Sequence, residues 1–423
     1  MKKYFLSVIA VMLLAITSYA QQGLDPARTA RIDAVINRHI QAGHIPGATA
    51  LIIRHGQVVY NKAFGYADVT SKKTMHTDNI FRIASQTKAI TSLGVMILWE
   101  EGKFLLDDPV SKYIPAFGHP RVKVSFNPQD SSYTTRSATR EITVRDLLRH
   151  TSGIAYAAVF SDPQMAAIYA KAGVVSGIGT TNSDLKTKIN LLAQQPLQHD
   201  PGQAFTYGLN TDVLGYLIEI WSGQPLDVFL RQRVFEPLEM QDTWFHLPTG
   251  KQDRLVTLYE DVNGKMVPVT HPIYEGIDPL FPKLHGTYLS GGAGLSSTTA
   301  DYAKFLSIYL HKGRYKNKII IGPKTVELML TNQLAPGVNA SPMPAQPENF
   351  KFSLAGFNLE TTENDYLMPF SKGTFGWGGA FNTHYWADPQ EDLIALIFTQ
   401  EYLSPYWNIG EEFKVATYQA LTD

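Results

Sequence analysis

The sequence predicts an α/β fold of the mixed α+β kind, with one antiparallel sheet flanked by helices and a second, mostly helical lobe. Strand patterns occur near both ends of the chain, each as two β-rich runs around a turn. The runs cover 48–53, 58–60, 382–386 and 393–399. Helical patterns over 30–42 and 411–421 lie beside them, whereas strand patterns are scarce between 107 and 285.

The first predicted helix, 30–42, carries apolar residues at helical spacing, which indicates one buried face. These residues are Ile32, Val35, Ile36 and Ile40. Pro46 and Gly47 follow the helix and end its pattern. A turn around Gly56 then joins the first two β-rich runs, so we expect a hairpin.

A second helix is predicted over 85–101 and is apolar on nearly every face, which is typical of a helix at the centre of a protein. Gly102 supplies its C-terminal stop. Between 107 and 285 the chain is punctuated by prolines and by short helical patterns such as 144–149 and 211–221. This pattern of prolines and short helical segments predicts a helical lobe with long surface loops.

Strands from the first and last parts of the chain are expected to share one sheet, with the terminal helices on one face. We therefore predict an α/β lobe made of 24–108 and 288–423, and a mostly helical lobe over 109–287. The length of 423 residues supports two lobes, because a single core usually stops growing below this size.

Residues 1–20 are predicted to be an export signal. Lys2 and Lys3 precede an apolar run over 4–16, and Ser18-Tyr19-Ala20 has small residues at the two positions that signal peptidase reads. Cleavage after Ala20 removes two lysines and changes the formal net charge from −1 to −1 − 2 = −3. The run is too short to span a bilayer comfortably, so we expect no stable membrane insertion and a periplasmic or secreted protein.

Composition excludes several classes of function. The chain is 44% hydrophobic and 18% charged with a formal net charge of −1, so no strongly basic face is implied and nucleic acid is not an expected partner. It contains 0 cysteines, which excludes disulfides, a thiol nucleophile and a cysteine metal site. A large core makes disulfides unnecessary in an exported protein of this size.

Ser85-Gln86-Thr87-Lys88 is the first motif with chemical content. Residues three apart on a helix lie on one face, so Ser85 and Lys88 can form a hydrogen bond. A serine hydroxyl needs a base to become a good nucleophile, and burial among apolar residues is expected to lower the pKa of Lys88 towards the neutral amine. The helix start also offers backbone N–H groups to an oxyanion. Ser183 and Lys186 repeat the spacing in a polar stretch, and we interpret that pair as a chance match.

Two further elements are consistent with the same chemistry. Tyr207 stands at a loop before an apolar helix, where a phenol near a charged lysine can relay a proton. Trp377-Gly378-Gly379-Ala380 precedes a predicted strand, and glycines there let a ligand approach the backbone closely. The Ala380 N–H is then a candidate second oxyanion donor. Each element taken alone is also explained by packing or by a turn.

In this order the elements resemble the superfamily of serine β-lactamases and penicillin-binding proteins, most closely its class C-like enzymes and family VIII carboxylesterases. Neighbouring stretches add to the resemblance, which covers nearly all of the mature chain. They are His44–Ala48, Phe81–Ser85, Asp146–Gly153, Thr211–Gly215 and Gly291–Leu295. The resemblance implies that Ser85 is the nucleophile, Lys88 its partner and Tyr207 the tyrosine of a Y-x-N motif, with Trp377-Gly378-Gly379 in place of K-T-G.

Two departures from that pattern bear on the substrate. The asparagine of Y-x-N would fall at Leu209, and Asn210 stands one position later, so Asn210 is a candidate substrate-binding residue. Trp377 occupies a position where a cation is usual and where lysine or arginine would pair with a substrate carboxylate. Both departures disfavour β-lactams and peptide C-termini, and the W-G-G sequence resembles that of the esterases.

We therefore predict carboxylic ester hydrolysis through an acyl-serine intermediate, with a small-molecule ester or amide as substrate and no cofactor or metal. The oxyanion would be held by the N–H groups of Ser85 and Ala380, and either Lys88 or Tyr207 would be the general base. Three other activities remain open on this fold: β-lactamase, D-peptidase and transacylase. A non-catalytic, penicillin-binding-like sensor or binding protein is a different class of function that also remains open.

Overall fold

The computed structural model describes residues 23–157, 161–179, 183–274, 276–336, 338, 351–359 and 369–422. The predicted export signal lies outside these residues. The helices are α1 (Pro26–Gln41), α2 (Thr87–Glu100), α3 (Val144–Leu148), α4 (Pro163–Ala172), α5 (Leu185–Ala193), α6 (Asn210–Ser222), α7 (Leu226–Leu230), α8 (Thr299–Leu310), α9 (Pro323–Met329) and α10 (Ile409–Gln419).

The strands are short except in one central sheet. They are β1 (Gly47–Arg54), β2 (Gln57–Asp68), β3 (Lys73–Thr74), β4 (Phe81–Arg82), β5 (Arg121–Phe126), β6 (Tyr133–Ser137), β7 (Tyr259–Asp261), β8 (Met266–Pro268), β9 (Ser296–Ser297), β10 (Arg314–Tyr315), β11 (Lys318–Ile319), β12 (Asn358–Leu359), β13 (Phe375–Gly379), β14 (Thr383–Asp388), β15 (Leu393–Phe398) and β16 (Glu401–Tyr402).

The central sheet has seven strands in the order β12-β13-β14-β15-β1-β2-β3, and every neighbouring pair is antiparallel. Both predicted hairpins, β1–β2 and β14–β15, are present, and β1 pairs with β15 with Leu51 opposite Leu396. The first and last parts of the chain thus form one sheet, as the sequence predicts. The α+β fold class is confirmed; the proposed lobe boundaries remain predictions.

Helices cover both faces of this sheet. On one face α1 and α10 pack through Ile36 and Phe413 against Ala50 and Ile397. On the other face the larger cluster joins Leu396 and Phe398 to Phe305 of α8 and to most of α2. Since β15 is buried along its whole length, it carries a continuous apolar run in place of an alternating one.

The helix α2 is at the centre of the molecule, as its all-round apolar sequence predicts. All of its residues from Thr87 to Leu98 are buried. Its start differs from the prediction, because Ser85 lies in a separate 3-10 turn over Ala84–Gln86 and the α-helix begins at Thr87. No helix in the described part of the chain is long and apolar enough to cross a bilayer.

The middle of the chain contains a hairpin, β5–β6, in a region where strand patterns are expected to be scarce. In β5, Val122, Val124 and Phe126 alternate with polar residues, but most residues of both strands are exposed or half-buried and only Val122 is buried in the core. The cross-strand contacts of the hairpin are polar, such as the bond between the hydroxyls of Ser125 and Thr134 at 2.6 Å. The hairpin is therefore held by hydrogen bonds between its strands and by the burial of Val122.

Candidate active site

Ser85 lies in a strained turn at the entrance to α2. Every residue from Phe81 to Leu98 is buried except Ser85, which is half-buried, so Ser85 is the solvent-accessible position in this stretch. The preceding Ala84 has φ = 40°, a left-handed conformation that an alanine adopts only when its surroundings enforce it. The turn separates Ser85 from the regular helix, which begins at Thr87.

Lys88 forms the predicted contact with Ser85, since its Nζ donates to the Ser85 Oγ at 3.3 Å. The same nitrogen donates to the hydroxyl of Tyr156 at 2.8 Å and to the carbonyl of Gly292 at 2.9 Å. The Lys88 side chain is 1% exposed. An ammonium group has three N–H donors, and here each has an acceptor.

The charge on Lys88 differs from the prediction. Burial lowers the pKa of Lys88, but the phenol groups of Tyr156 and Tyr207 raise it by more, so that the pKa lies above its ordinary value. The expectation that burial alone would make this amine neutral is therefore corrected. The sequence could not show that two phenols and a carbonyl would replace the water that Lys88 loses. With its pKa raised and its three N–H groups donated to Ser85, Tyr156 and Gly292, Lys88 is a poor acceptor for the Ser85 proton.

Tyr207 lies on the other side of Lys88, with its ring centroid 4.6 Å from Nζ. It belongs to the loop before α6, is 2% exposed, and packs against the ring of His150 at 4.9 Å between centroids. The hydroxyl of Tyr207 accepts a hydrogen bond from the Trp377 indole N–H at 3.1 Å. The structure thus brings Ser85, Lys88 and Tyr207 together, as the sequence predicts.

Tyr156 is a member of this site that the sequence analysis missed. Its hydroxyl is the nearest acceptor of Lys88, and its ring meets that of Tyr207 edge-on at 5.6 Å. Burial raises the pKa of Tyr156, and the charge of Lys88 opposes that rise. A single tyrosine in an irregular loop carries no spacing signal. The two tyrosine loops meet because Gly208 lacks a Cβ, which would lie 2.2 Å from the Ile154 carbonyl.

Asp212, in the first turn of α6, was also missed as a site residue. It is fully buried, and its carboxylate accepts from the Tyr288 hydroxyl at 3.0 Å. Burial raises the pKa of Asp212 to about 6, although nearby hydroxyls and Lys88 oppose the rise. A Cβ on Gly292 would lie 2.6 Å from the Asp212 Oδ2 and 3.5 Å from the Lys88 Nζ, so the carboxylate and ammonium face each other across this glycine.

The strand β13 brings the third predicted element to Ser85. A Cβ on Gly379 would lie 2.3 Å from the Ile83 carbonyl, so only glycine permits the end of β13 to approach the turn before Ser85. Ala380 packs against the apolar cluster that contains Ala84. Among the turn and loop hydrogen bonds of the described residues, none has the N–H of Ser85 or of Ala380 as its donor. Two such donors beside a nucleophile have the form of an oxyanion site.

Trp377 and Gly378 lie on opposite faces of β13. The Trp377 indole packs against Tyr207 and gives that tyrosine its N–H, so its single donor is already used within the protein. A Cβ on Gly378 would be 3.1 Å from the Trp407 ring, which places this glycine against the far side of the sheet. The predicted substrate contacts of this motif therefore reduce to the face of Trp377 and the backbone near Ala380.

Asn210 is not placed as a substrate ligand, which corrects that prediction. Its side chain is fully buried, its Nδ2 donates to the His150 Nδ1 at 3.0 Å, and its Oδ1 accepts from the Ser152 hydroxyl. The amide thus ties the start of α6 to the loop that leads to Tyr156. Leu209, the position at which the asparagine of the motif would fall, is also buried.

Comparisons with known proteins agree with this geometry. The family model described as beta-lactamase matches residues 32–413. The esterase EstB of Burkholderia gladioli is 32% identical over 391 residues, covering 89% of this chain and 91% of that protein. Protein Rv1367c of Mycobacterium tuberculosis is 30% identical over 372 residues, covering 87% and 88%.

Among solved structures, EstCE1, a hydrolase with promiscuous acyltransferase activity, superposes with a TM-score of 0.78 at 28% identity, covering 92% of this chain and 98% of that one. The family match spans almost the whole described chain and includes the Ser85, Lys88 and Tyr207 elements. Small molecules are the substrates of such hydrolases. The chain belongs to the β-lactamase family, within the superfamily of serine β-lactamases and penicillin-binding proteins, and is a serine hydrolase.

Proposed function

We propose that this serine hydrolase cleaves small carboxylic esters through a covalent acyl-serine intermediate. The observation that supports this most directly is the placement of Lys88 between two tyrosines, with Ser85 among its three hydrogen-bond acceptors. The likeness to the esterase EstB and to the hydrolase EstCE1 points to the same class of substrate. A bound ester would place its carbonyl oxygen at the N–H groups of Ser85 and Ala380.

Tyr207 is the proposed general base. Since all three N–H groups of Lys88 are donated, the Ser85 proton passes to the Tyr207 oxygen, with the Lys88 Nζ beside the Tyr207 ring. The Trp377 N–H donates a hydrogen bond to the same oxygen. Tyr156 contributes by fixing the Lys88 ammonium between the two phenols.

The reaction then has two balanced halves. The Ser85 Oγ bonds to the carbonyl carbon, the C–O bond to the leaving alkoxide breaks, and the alkoxide receives the proton from Tyr207. Water next gives a proton to Tyr207 and attacks the acyl carbon. Collapse of that second intermediate returns the proton to the Ser85 Oγ and releases the carboxylic acid.

Transfer of the acyl group to an alcohol is the second candidate activity. It uses the same acyl-serine and differs only in the group that attacks it. The acyltransferase activity named for EstCE1, which is 28% identical, favours acyl transfer over β-lactam or D-peptide hydrolysis as this second activity. Adding an alcohol co-substrate to an ester assay distinguishes transfer from hydrolysis, because transfer yields a new ester in place of free acid.

The Trp377 position argues against substrates with a free carboxylate next to the reacting carbonyl, since no cation stands there. We therefore expect short-chain p-nitrophenyl esters to be hydrolysed much faster than a chromogenic cephalosporin. The matched control is Ser85→Ala, which should abolish both turnover and labelling by a fluorophosphonate probe. Faster cephalosporin turnover would contradict the ester proposal, and acylation without turnover would indicate a non-catalytic binding protein.

We also propose that the protein is exported after cleavage following Ala20, on the basis of its N-terminal sequence. Mass spectrometry of the chain purified from the periplasm or the medium should find Gln21 as the first residue. A protein retained in the cytoplasm with Met1 intact would contradict this proposal.

A further inference from the structure

A three-residue turn, Ala380-Phe381-Asn382, joins β13 to β14 and carries the proposed oxyanion donor at its first position. The pair Gly379–Thr383 closes the hairpin. Asn382 has φ = 61°, the left-handed conformation that the third residue of such a loop commonly adopts. Asparagine tolerates this region better than most residues, but glycine does so at no cost. Backbone geometry alone therefore does not explain an asparagine here.

The Asn382 side chain is fully buried and each of its polar groups has a partner. Its Oδ1 accepts from the His384 Nε2 at 2.7 Å. Its Nδ2 donates to the Glu401 Oε2 at 2.8 Å and to the Ser404 Oγ at 3.1 Å. The amide thus links the turn to the segment that begins with β16.

Backbone bonds reinforce the link on the same side. The carbonyl of Phe381 accepts from the Glu401 N–H at 3.1 Å. The carbonyl of Asn382 accepts from the Thr399 hydroxyl at 2.7 Å. Together these contacts fix the carbonyls of the second and third turn residues, next to the N–H of the first, Ala380.

On its other side the turn is tied to the nucleophile. The Thr383 hydroxyl accepts from the Gln86 Nε2 at 2.9 Å, and Gln86 is the residue after Ser85. The turn is therefore held between the Ser85 turn and Glu401. Any loosening of the Asn382–Glu401 contact shifts one oxyanion donor relative to the other.

We propose that Asn382 is a positioning residue that sets the Ala380 N–H for catalysis by bridging the turn to Glu401 and Ser404. The inference rests on the proposed acyl-serine chemistry, in which Ala380 donates to the oxyanion. Removing one oxyanion donor entirely typically costs ~100-fold or more in kcat. Misplacing it by loss of the Asn382 amide should cost on the order of 10-fold, because the donor is displaced and not removed.

The test compares Asn382→Gly with Asn263→Gly on a p-nitrophenyl ester. Both asparagines have positive φ, but the Asn263 side chain is exposed in the β7–β8 turn. Asn263→Gly therefore makes the same asparagine-to-glycine change in the backbone without removing a buried amide. We expect Asn382→Gly to lower kcat about 10-fold with KM changed less than threefold, and Asn263→Gly to match the wild type. The Ki of a boronic acid, whose tetrahedral adduct places oxygen in the oxyanion site, should rise by the same factor.

A purely structural role for Asn382 would lower the melting temperature and leave kcat and the boronic acid Ki unchanged at 25 °C. That result would overturn the inference while the wild type still hydrolyses the ester, whereas an inactive wild type would overturn the proposed function instead. If Asn382→Gly does not fold, Ser404→Ala at a half-buried site gives the same test with a smaller expected loss. Glu401→Gln, which keeps an acceptor, should recover most of the kcat lost in Glu401→Ala.

Discussion

Trp377 donates its indole N–H to the hydroxyl of Tyr207 at 3.1 Å. The tryptophan at the position where the family usually has a cation therefore forms a hydrogen bond with the proposed general base. The two rings also pack at 5.6 Å between centroids. The strand β13, next to the edge of the sheet, thereby orients a side chain that comes from a different part of the chain. This contact links the third sequence element to the first two.

Replacing Trp377 with phenylalanine should lower kcat about 10-fold, because the ring contact is retained and the donor to the Tyr207 oxygen is lost. KM should change by less than about threefold, since the face towards the substrate remains apolar. Steady-state kinetics on a p-nitrophenyl ester measure both constants. An unchanged kcat would show that this hydrogen bond has no part in proton transfer.

Tyr156→Phe should lower kcat by about 10- to 100-fold, because the Lys88 ammonium loses its shortest hydrogen bond and no longer has a fixed position. Tyr169→Phe is the matched control, since Tyr169 is also a buried tyrosine but donates to the Pro196 carbonyl, and we expect its kcat to match the wild type. Equal losses in both variants would indicate a general effect of removing a buried hydroxyl.

Gly379→Ala should abolish ester hydrolysis, because the new Cβ would lie 2.3 Å from the Ile83 carbonyl and force β13 away from Ser85. Gly250→Ala is a suitable control, as a Cβ there meets no atom within 4 Å. Circular dichroism and a fluorophosphonate probe separate loss of folding from loss of the site. A folded Gly379→Ala protein with normal kcat would contradict the close approach of these two segments.

Glu401 should make the protein less stable as the pH rises from about 4.5 to 7. Burial raises the pKa of this carboxyl to about 7, against the hydrogen bonds from Ser404 and Asn382. The pKa of Glu401 in the folded protein thus exceeds its ordinary value of 4.5. Between about pH 4.5 and pH 7 the folded protein binds more protons than the unfolded chain, so the free energy of unfolding falls as the pH rises through this range. The effect amounts to about 3 kcal/mol for a shift of this size.

Urea unfolding of the wild type and of Glu401→Gln at pH 5 and pH 8 tests this pH dependence. The variant should gain stability relative to the wild type at pH 8, and the difference should be small at pH 5. Burial lowers the pKa of the neighbouring His384 to about 3, and its own pH dependence cancels when the two proteins are compared. A difference that does not vary with pH would contradict the buried, titrating carboxyl.

Much of the site could be predicted because its determinants are local. The spacing of Ser85 and Lys88 requires only a helical turn, and the hydrogen bond between them is present. Both hairpins of the sheet follow from β-rich runs around turn residues, and α2 is buried as its apolar faces require. Each of these patterns depends on the geometry of one helix or one hairpin, and its residues are close together in the sequence.

Only the tertiary structure decided the charge of Lys88, the presence of Tyr156 and the role of Asn210. Each depends on residues distant in sequence. Tyr156 and Gly292 accept hydrogen bonds from Lys88. The side chains of His150 and Ser152 form hydrogen bonds with the Asn210 amide. A buried group's protonation state is set by the acceptors packed around it, and one sequence does not reveal them. The sequence determined which residues could react, and the packing of distant loops around Lys88 determined how they share the proton.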